Sequence, residues 1–376
     1  MHAPPPDRLR PGAGPPSRSG RQGSRYRVGV AAIRVLVTIN HPAHVHFFKH
    51  CIWEMERRGH EIRVAAMNKD VALNLLQNYG IDYTLLPVRQ KNGFDVIAEQ
   101  LKYDYHLYSI AQEFKPHIVT GIGGVAPAHI SRLTGAKSIV FTDTEHAVLS
   151  NSITFPFADV ICTPSCYRDD VGKKQVRYNG YHELAYLHPR YFQPDPGILH
   201  DIGLDEQDDF FVMRFISWNA VHDRGQHGIE NRMELIDMLT EHGQVFITSE
   251  STLPKAFHKY LISVPPEKMH DLLYYATMYI GEGSTMASES AILGTHALLV
   301  TTLSYGYTSE EEEKYDLVYN FFQYDNIQER ALRKAADLLE HTNLKQEGKR
   351  KRERLLKDKI DVTQFMIDLF EECGCS

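Results

Sequence analysis

A glycine-rich segment late in the chain has the residue types of a phosphate-binding loop. Residues 281–286 read Gly-Glu-Gly-Ser-Thr-Met, and they lie between an apolar run at 278–280 and a helical pattern that stops at Gly294. Unpaired amide groups and the helix dipole at such a strand–helix junction bind phosphate groups. We therefore expect a nucleotide diphosphate to be held by Gly281, Gly283, Ser284, Thr285 and Met286.

Glu289 follows Thr285 by four residues, so the two side chains share one face of the predicted helix. A carboxylate one turn beyond a bound diphosphate can accept hydrogen bonds from ribose hydroxyl groups. The simpler interpretation is that Ser284 only caps the helix and that Glu289 is an exposed helix residue. The position of the segment at a strand–helix junction favours the nucleotide site.

A second polar segment, residues 40–46, follows the first apolar run and contains His41, His44 and His46. An imidazole in a strand–helix loop can act as a general base or bind a phosphate. We expect His44, at the apex of the loop, to be catalytic, and His41 and His46 to contact substrate unless His46 simply packs at the helix start. The histidine spacing also suits a metal, but no carboxylate completes a site, so we expect none.

A third segment, Thr-Asp-Thr-Glu-His at residues 142–146, also follows a predicted strand. A carboxylate beside an imidazole suits acid–base chemistry or the binding of sugar hydroxyl groups. Asp143 is closest to the strand end, and we expect it to be catalytic. Glu145, His146 and Asn151 are candidate substrate contacts.

Arg214 and Trp218 lie in a fourth segment, at the start of the second half of the chain. Arg214 can pair with a diphosphate through two hydrogen bonds, and Trp218 can stack on a base or a sugar. A structural ion pair is the alternative for Arg214. We expect both residues to contribute to nucleotide-sugar binding.

The elements that must position these residues alternate between strands and helices. Short apolar runs predict strands, whereas the intervening segments have helical spacing; the strand runs are residues 33–39, 61–66, 117–121, 137–142, 158–162, 175–178, 210–216, 244–248, 278–280 and 297–301. This rhythm predicts an α/β fold with two doubly wound, Rossmann-like domains of mainly parallel sheet. Ligands of such sheets lie beyond the carboxyl ends of the strands, so the two domains should face each other across a cleft.

Domain boundaries follow from composition. Three prolines and a glycine within residues 188–197 interrupt the alternation and predict a linker. The predicted parts are a disordered extension at 1–32, an acceptor domain at 33–187, a linker at 188–207, a nucleotide-sugar-binding domain at 208–345 and a helical tail at 346–376. The extension is rich in Pro, Gly, Ser and Arg and has little apolar surface to bury.

Bulk properties exclude several classes of protein. The net charge of −7 argues against nucleic-acid binding, and no apolar run approaches the length of a membrane span. Five scattered cysteines fit a reducing cytoplasm better than a disulfide framework. The basic run at 348–354 is expected to be a solvated helix face, with contact to anionic lipid or a phosphate-bearing acceptor at the membrane periphery as the alternative. A homodimer is a further expectation.

Five segments together resemble a prokaryotic family catalogued as domain of unknown function 354. They lie at residues 41–48, 143–147, 156–164, 178–187 and 281–294, and the resemblance runs from about Ile33 to Phe370. That family is grouped with GT-B-fold proteins, near UDP-N-acetylglucosamine 2-epimerases and the lipid-linked N-acetylglucosaminyltransferase of peptidoglycan synthesis. The resemblance implies a diphosphate at Gly283–Thr285, a ribose at Glu289, and His44 as base or phosphate contact.

The positions at which this sequence departs from the epimerases distinguish epimerisation from glycosyl transfer. The chain has only glycines after the strand that ends at residues 120–124, and it has Ala-Val-Leu-Ser at 147–150, so two acid–base carboxylates of the epimerases are missing. The leading hypothesis is a cofactor- and metal-independent GT-B-type glycosyltransferase with a UDP-sugar donor and an acceptor that is a glycan or a lipid-linked sugar. Arg214 would neutralise the leaving diphosphate, and His44 or Asp143 would deprotonate the acceptor. Alternatives are an epimerase or hydrolase acting on nucleotide-sugars, a metal hydrolase built on the three histidines, and a non-catalytic nucleotide-sugar sensor.

Overall fold

Seven parallel strands form the sheet of the amino-terminal half. A computed structural model describes residues 31–87, 96–216, 229, 231–249, 252–322 and 326–375. The strands are β1 (Arg34–Ile39), β2 (Glu61–Met67), β3 (Tyr83–Leu86), β4 (Ile118–Ile122), β5 (Lys137–Phe141), β6 (Val160–Pro164) and β7 (Gln175–Tyr178). Their order in the sheet is β3-β2-β1-β4-β5-β6-β7. From Val35 onward β1 is buried on both faces, as expected for a parallel sheet covered by helices on each side.

Helices cover this sheet and lead into the second half. They are α1 (Pro42–Arg57), α2 (Ala72–Asn78), α3 (Val96–Phe114), α4 (Val125–Thr134), α5 (Val148–Thr154), α6 (Leu184–Leu187) and α7 (Gly197–Asp201). The first helix begins with Pro42 directly after His41, whose Nδ1 accepts a hydrogen bond from the Ala43 amide at 3.2 Å. His41 is therefore the N-cap of α1.

A second parallel sheet of five strands forms the carboxyl-terminal half. Its strands are β8 (Phe210–Phe215), β9 (Gln244–Ser249), β10 (Met278–Gly281), β11 (His296–Val300) and β12 (Val318–Phe321), in the order β12-β11-β10-β8-β9. Its helices are α8 (Arg232–Thr240), α9 (Met269–Tyr275), α10 (Ser284–Leu293), α11 (Gly306–Tyr315), α12 (Ile327–Leu339), α13 (Leu344–Asp358) and α14 (Val362–Gly374). The expected α/β class with two parallel, doubly wound sheets is confirmed, although β3 and β12 had no predicted counterpart.

Each sheet reverses its strand order at one point, and ligands of open α/β sheets bind beside such a point. In the first sheet the reversal lies between β1 and β4, next to the loops that precede α1 and α4. In the second sheet it lies between β8 and β10, where Arg214 and Gly281 are register partners. The glycine-rich segment therefore leaves its sheet at the reversal point.

The basic run at 348–354 is not a uniformly solvated helix face. Lys349 donates from Nζ to the Tyr274 carbonyl at 2.9 Å, and burial lowers the pKa of Lys349 to about 7. Arg352 donates from Nε to the Ile292 carbonyl at 2.8 Å. These side chains satisfy one carbonyl group of α9 and one of α10, so the expectation of a solvated face holds only for exposed members of the run such as Arg350. No helix among the described residues is long and apolar enough to cross a membrane.

The connection between α13 and α14 is fixed by a buried ion pair. Lys359 Nζ donates to Glu310 Oε2 at 2.6 Å and to Asn179 Oδ1 at 3.2 Å, and its side chain is 2% exposed. Tyr181 donates to the same Glu310 oxygen at 2.7 Å. Lys314 pairs with Glu310 as well, but its side chain is 57% exposed. The Glu310 carboxylate thus connects the two halves of the chain with the segment between α13 and α14.

We predict that Lys359→Met lowers the free energy of unfolding by about 3–5 kcal/mol, because it leaves the Glu310 carboxylate largely buried without its buried cation. The matched change Lys314→Met removes an exposed partner of the same carboxylate and should cost less than about 1 kcal/mol. Urea unfolding monitored by circular dichroism measures both. Equal losses in the two variants would contradict this account.

Candidate functional site

The first turn of α10 is the accessible part of an otherwise buried helix. Residues 283–286 are partly exposed, whereas residues 287–293 are all buried. Gly283 is the N-cap residue, and as a glycine it makes no side-chain capping bond to the helix. Ser284 is thus the first helical residue and not the cap. The first backbone N–H groups of a helix have no intrahelical acceptor, so those of this turn can bind an anion.

The two glycines of the segment differ in the space that the fold leaves for a side chain. A Cβ at Gly281 would lie 2.3 Å from the Tyr279 hydroxyl oxygen and 2.9 Å from the Arg214 carbonyl oxygen, so the fold itself requires glycine there. A Cβ at Gly283 would meet no atom closer than 3.6 Å. Packing against the described residues therefore leaves room for a side chain at Gly283. The Arg214 side chain lies beside this position, with Cγ 3.9 Å from the site of that Cβ.

Glu282, between the two glycines, points away from the open side of the turn. Its carboxylate accepts hydrogen bonds from the amides of Ile216 at 3.0 Å and Ile229 at 2.9 Å, and Arg232 Nη2 lies 3.4 Å away. Burial raises its pKa despite these partners. Glu282 therefore binds the described residues on either side of positions 217–228. The predicted stacking residue Trp218 lies outside the described residues.

Glu289 is buried and not exposed. Its Oε1 accepts hydrogen bonds from the Tyr186 hydroxyl at 2.8 Å and from His270 Nε2 at 2.9 Å. His46 completes this group, with its ring 4.7 Å from that of His270 and 5.3 Å from that of Tyr186. His46 thus packs between the halves, in line with the simpler interpretation that it has a packing role. A ribose contact by Glu289 stays a prediction.

Asp143 forms a buried pair with His182, a residue that the sequence patterns did not select. Asp143 Oδ2 lies 2.9 Å from His182 Nδ1, and Thr144 Oγ1 donates to Asp143 Oδ1 at 2.8 Å. The His182 ring packs against Phe47 and Tyr178, with centroids 4.6 and 6.4 Å away. Its Nε2 has no hydrogen-bond partner among the described residues. The pair has the base-and-orienting-carboxylate arrangement of acid–base catalysts.

Burial and neighbouring charges shift the pKa values of Asp143 and His44. Burial alone would raise the pKa of Asp143, but the charge and the hydrogen bond of His182 outweigh it, so the pKa of Asp143 is lowered. Burial, together with His41 and His182, lowers the pKa of His44 well below the usual value. His44 is therefore a neutral imidazole at pH 7, and its Nδ1 lies 3.4 Å from the Asn40 amide.

The other candidate residues in and after the third segment make two kinds of contact, either with the carboxyl-terminal half or within their own loop. Glu145 Oε1 accepts a hydrogen bond from the Arg168 amide at 3.2 Å and also approaches the backbone of Gly306, at the start of α11. The His146 ring packs edge-on against Tyr305 at 4.9 Å. Asn151 donates to the Thr144 carbonyl at 3.2 Å and thus supports the loop internally. The first two reach the carboxyl-terminal half.

Helix α11 brings the two halves of the site together. Tyr307 is buried, and its side chain lies near that of Ser284. Burial raises the pKa of Tyr307 well above the usual value, and the charges of Asp143 and Glu183 raise it further. Tyr307 therefore lies between the first turn of α10 and the Asp143–His182 pair.

One turn deeper, two carboxyl groups are buried at the same seam. Glu311 accepts a hydrogen bond from Ser288 Oγ at 2.6 Å, and burial raises its pKa to about 8. Burial also raises the pKa of Glu183 well above the usual value, and the charges of Asp143 and Glu311 add to this effect. No group of three or more potential metal ligands occurs among the described residues.

The chain belongs to the family described as "Protein of unknown function (DUF354)", which matches residues 33–371. A curated relative is the uncharacterized protein MJ0665 of Methanocaldococcus jannaschii, 23% identical over 276 residues that cover 69% of this chain and 79% of the relative. The family expected from the sequence is confirmed.

Solved structures similar to this fold include epimerases and glycosyltransferases. The UDP-GlcNAc 2-epimerase of Neisseria meningitidis bound to UDP-GlcNAc is 10% identical, with a TM-score of 0.64 over 90% of this chain and 100% of that chain. The spinosyn rhamnosyltransferase SpnG is 12% identical, with a TM-score of 0.60 over 90% and 100%. An S. aureus MnaA–UDP co-structure is 11% identical, with a TM-score of 0.64 over 90% and 95%. The expected GT-B-like fold is confirmed.

We predict that Glu311→Gln flattens the dependence of stability on pH. The folded-state pKa of Glu311 lies above the ordinary value of 4.5, so its contribution is complete below pH 4.5 and is lost as pH rises to about 8. This loss amounts to at most about 5 kcal/mol in the native chain. Unfolding free energies from pH 5 to about 8 measure it, with Glu313→Gln on the exposed face of α11 as control. An unchanged slope in Glu311→Gln would refute the burial argument.

Proposed function

We propose that this member of the family is a GT-B-type glycosyltransferase that transfers a sugar from a nucleotide-sugar, with a UDP-sugar as donor. The observation that carries the proposal is the position of Tyr307, a buried residue of α11 that lies near both Ser284, at the open turn of α10, and Asp143 of the Asp143–His182 pair. In this proposal a phosphate-binding turn and an acid–base pair meet across one cleft. Group transfer from a diphosphate requires these two parts.

The carboxyl-terminal half supplies the donor site in this proposal. The diphosphate lies on the first-turn amides of residues 283–286, and Arg214 adds positive charge beside Gly283. Helix dipole and arginine together stabilise the negative charge of the leaving diphosphate, so the reaction needs no metal. UDP is the favoured nucleotide because two of the similar structures hold UDP or UDP-GlcNAc.

The amino-terminal half supplies the base. His182 Nε2 accepts the proton of an acceptor hydroxyl, the acceptor oxygen bonds to the anomeric carbon, and the bond from that carbon to the phosphate oxygen breaks. The nucleoside diphosphate leaves with the electron pair. Asp143 holds His182 with Nε2 free and stabilises the imidazolium that forms. This step needs a cleft that opens to admit the acceptor and closes to exclude water.

The base in this proposal differs from the residues expected from the sequence. Asp143 becomes a positioning residue, since its Oδ2 is held by His182 Nδ1. His44 becomes a neutral contact for phosphate or sugar, because an imidazole with a strongly lowered pKa is a weak proton acceptor near neutral pH. His41 remains the cap of α1 beside it.

Epimerisation is the runner-up reaction, favoured by the epimerases among the similar structures. The loop after β4 argues against epimerisation, because Gly123 and Gly124 stand there and provide no acid–base group. Their φ values are 69° and 38°. A UDP-sugar that is consumed without an acceptor and yields an epimer would favour this reaction over transfer.

We predict that Gly283→Ala abolishes nucleotide binding without loss of stability. A methyl group at this position meets no protein atom closer than 3.6 Å, but it occupies the space where the backbone approaches the diphosphate. UDP at about 100 times its Kd should stabilise the native protein by about 2.7 kcal/mol and raise its Tm, whereas the variant should show the native Tm and no rise. A Tm of the native protein that UDP leaves unchanged would refute the donor site.

We predict that His182→Gln lowers the rate of UDP release from UDP-sugars in the presence of acceptors by about 10²- to 10⁴-fold. The UDP-dependent rise in Tm should persist, because the substitution lies outside the donor site. Asp143→Asn should also slow the reaction, since asparagine can hold His182 in the wrong tautomer. A His182→Gln rate within about twofold of the native rate would exclude His182 as the base.

A further inference from the structure

The hydrogen bonds of Glu289 all fall on one oxygen of its carboxylate. Oε1 accepts from the Tyr186 hydroxyl at 2.8 Å and from His270 Nε2 at 2.9 Å. Among the residues that the structure describes, none donates to Oε2. A buried carboxylate is stable only where donors satisfy it, and each of its oxygens can accept two hydrogen bonds. The arrangement therefore leaves Oε2 able to accept from a ligand.

Two structural carboxylates of the same half show a different pattern. In Glu282, each oxygen accepts a hydrogen bond from a backbone amide. In Glu310, Oε1 pairs with Lys314 and Oε2 pairs with Lys359. Both groups hold parts of the fold together, and both use their two oxygens to do so. A role in holding the fold accounts for Oε1 of Glu289 but not for its Oε2.

Glu289 Oε2 also lies where a ligand can reach it. Among the described residues, the enclosed polar atoms without a hydrogen-bond partner include Glu183 Oε2 and Glu311 Oε2, but not Glu289 Oε2. An unpartnered oxygen outside this group keeps contact with accessible space, in line with the 7% exposure of the Glu289 side chain. Helical side chains lean towards the helix N-terminus, so this carboxylate lies over the turn that contains the partly exposed Thr285.

The two donors to Oε1 come from different halves of the chain. Tyr186 belongs to α6 and His270 to α9. The ring of His46 on α1 packs against both, with centroid separations of 5.3 and 4.7 Å. All three side chains are buried. A carboxylate with one oxygen fixed by two buried donors has little freedom to rotate, so the direction of Oε2 is set before a ligand binds.

We propose that Tyr186 and His270 are positioning residues for the ribose of the donor nucleotide. They hold Glu289 Oε1, so that Oε2 accepts hydrogen bonds from the neighbouring 2′- and 3′-hydroxyl groups of the sugar. The inference rests on the proposed function, because it needs the diphosphate at the open turn of α10. It narrows the substrate class to ribonucleotides, since a polar group aimed at a hydroxyl is left unpaired by a 2′-deoxyribonucleotide.

The rise in Tm with UDP and with 2′-deoxy-UDP, measured over a range of concentrations, gives a Kd for each nucleotide and tests the inference. The native protein should bind 2′-deoxy-UDP at least about tenfold more weakly than UDP, the loss expected for one hydrogen bond to a charged group. Tyr186→Phe should reduce the ratio of the two Kd values to about threefold or less, through weaker UDP binding, because the carboxylate loses a bond that sets its direction. His270→Phe should act in the same direction. A general loosening of the fold would weaken both nucleotides alike and leave the ratio unchanged.

Tyr181→Phe is the matched control, because its hydroxyl donates across the halves to a different carboxylate, Glu310 Oε2, at 2.7 Å. This variant should keep the native preference for UDP. Equal binding of the two nucleotides by the native protein would overturn the inference and leave the donor site standing. An unchanged ratio in Tyr186→Phe, or the same reduction in Tyr181→Phe, would show that Tyr186 does not position the carboxylate. No stabilisation of the native protein by either nucleotide would refute the donor site and the inference with it.

Discussion

The burial of α10 is the constraint on which the rest of the structure depends. This helix packs against β11, α6, α9, α11 and α13, and only its first turn reaches the open side of the second sheet. Its far end is equally constrained, because a Cβ at Gly348 of α13 would lie 2.1 Å from the Gly294 carbonyl oxygen. A helix fixed along its length presents its amide groups at a fixed position, which is what anion binding without reorganisation requires.

Buried charges hold the two halves around this helix. Glu289 of α10 accepts hydrogen bonds from Tyr186 and His270, and Glu310 of α11 accepts them from Tyr181 and Lys359. Each carboxylate has partners from both halves or from the connection between α13 and α14. Desolvated carboxylates persist only with such partners, so these contacts give the cleft a defined geometry at a cost in desolvation. Opening of the cleft would hydrate these groups and relieve part of that cost.

Much of the fold and part of the site followed from the sequence. The alternation of strand and helix patterns predicted both parallel sheets, and the junction after β10 predicted the turn at the start of α10, because both depend on local sequence patterns. The packing reason for Gly281 did not follow, since it depends on the Tyr279 hydroxyl and on the Arg214 carbonyl of the neighbouring strand. His182 was missed although it follows the carboxyl end of β7, because its pairing with Asp143 spans 39 residues and requires the completed sheet. The burial of Glu289 likewise depends on Tyr186, 103 residues away.

The proposed function requires that the open turn of α10 and the Asp143–His182 pair form one site. A crystal structure of the protein with UDP tests this requirement. We expect the diphosphate within hydrogen-bond distance of the amides of residues 283–286, with its terminal phosphate directed towards His182 and His44. UDP bound at another surface, or with its phosphates directed away from the amino-terminal half, would show that the turn and the pair do not form one site.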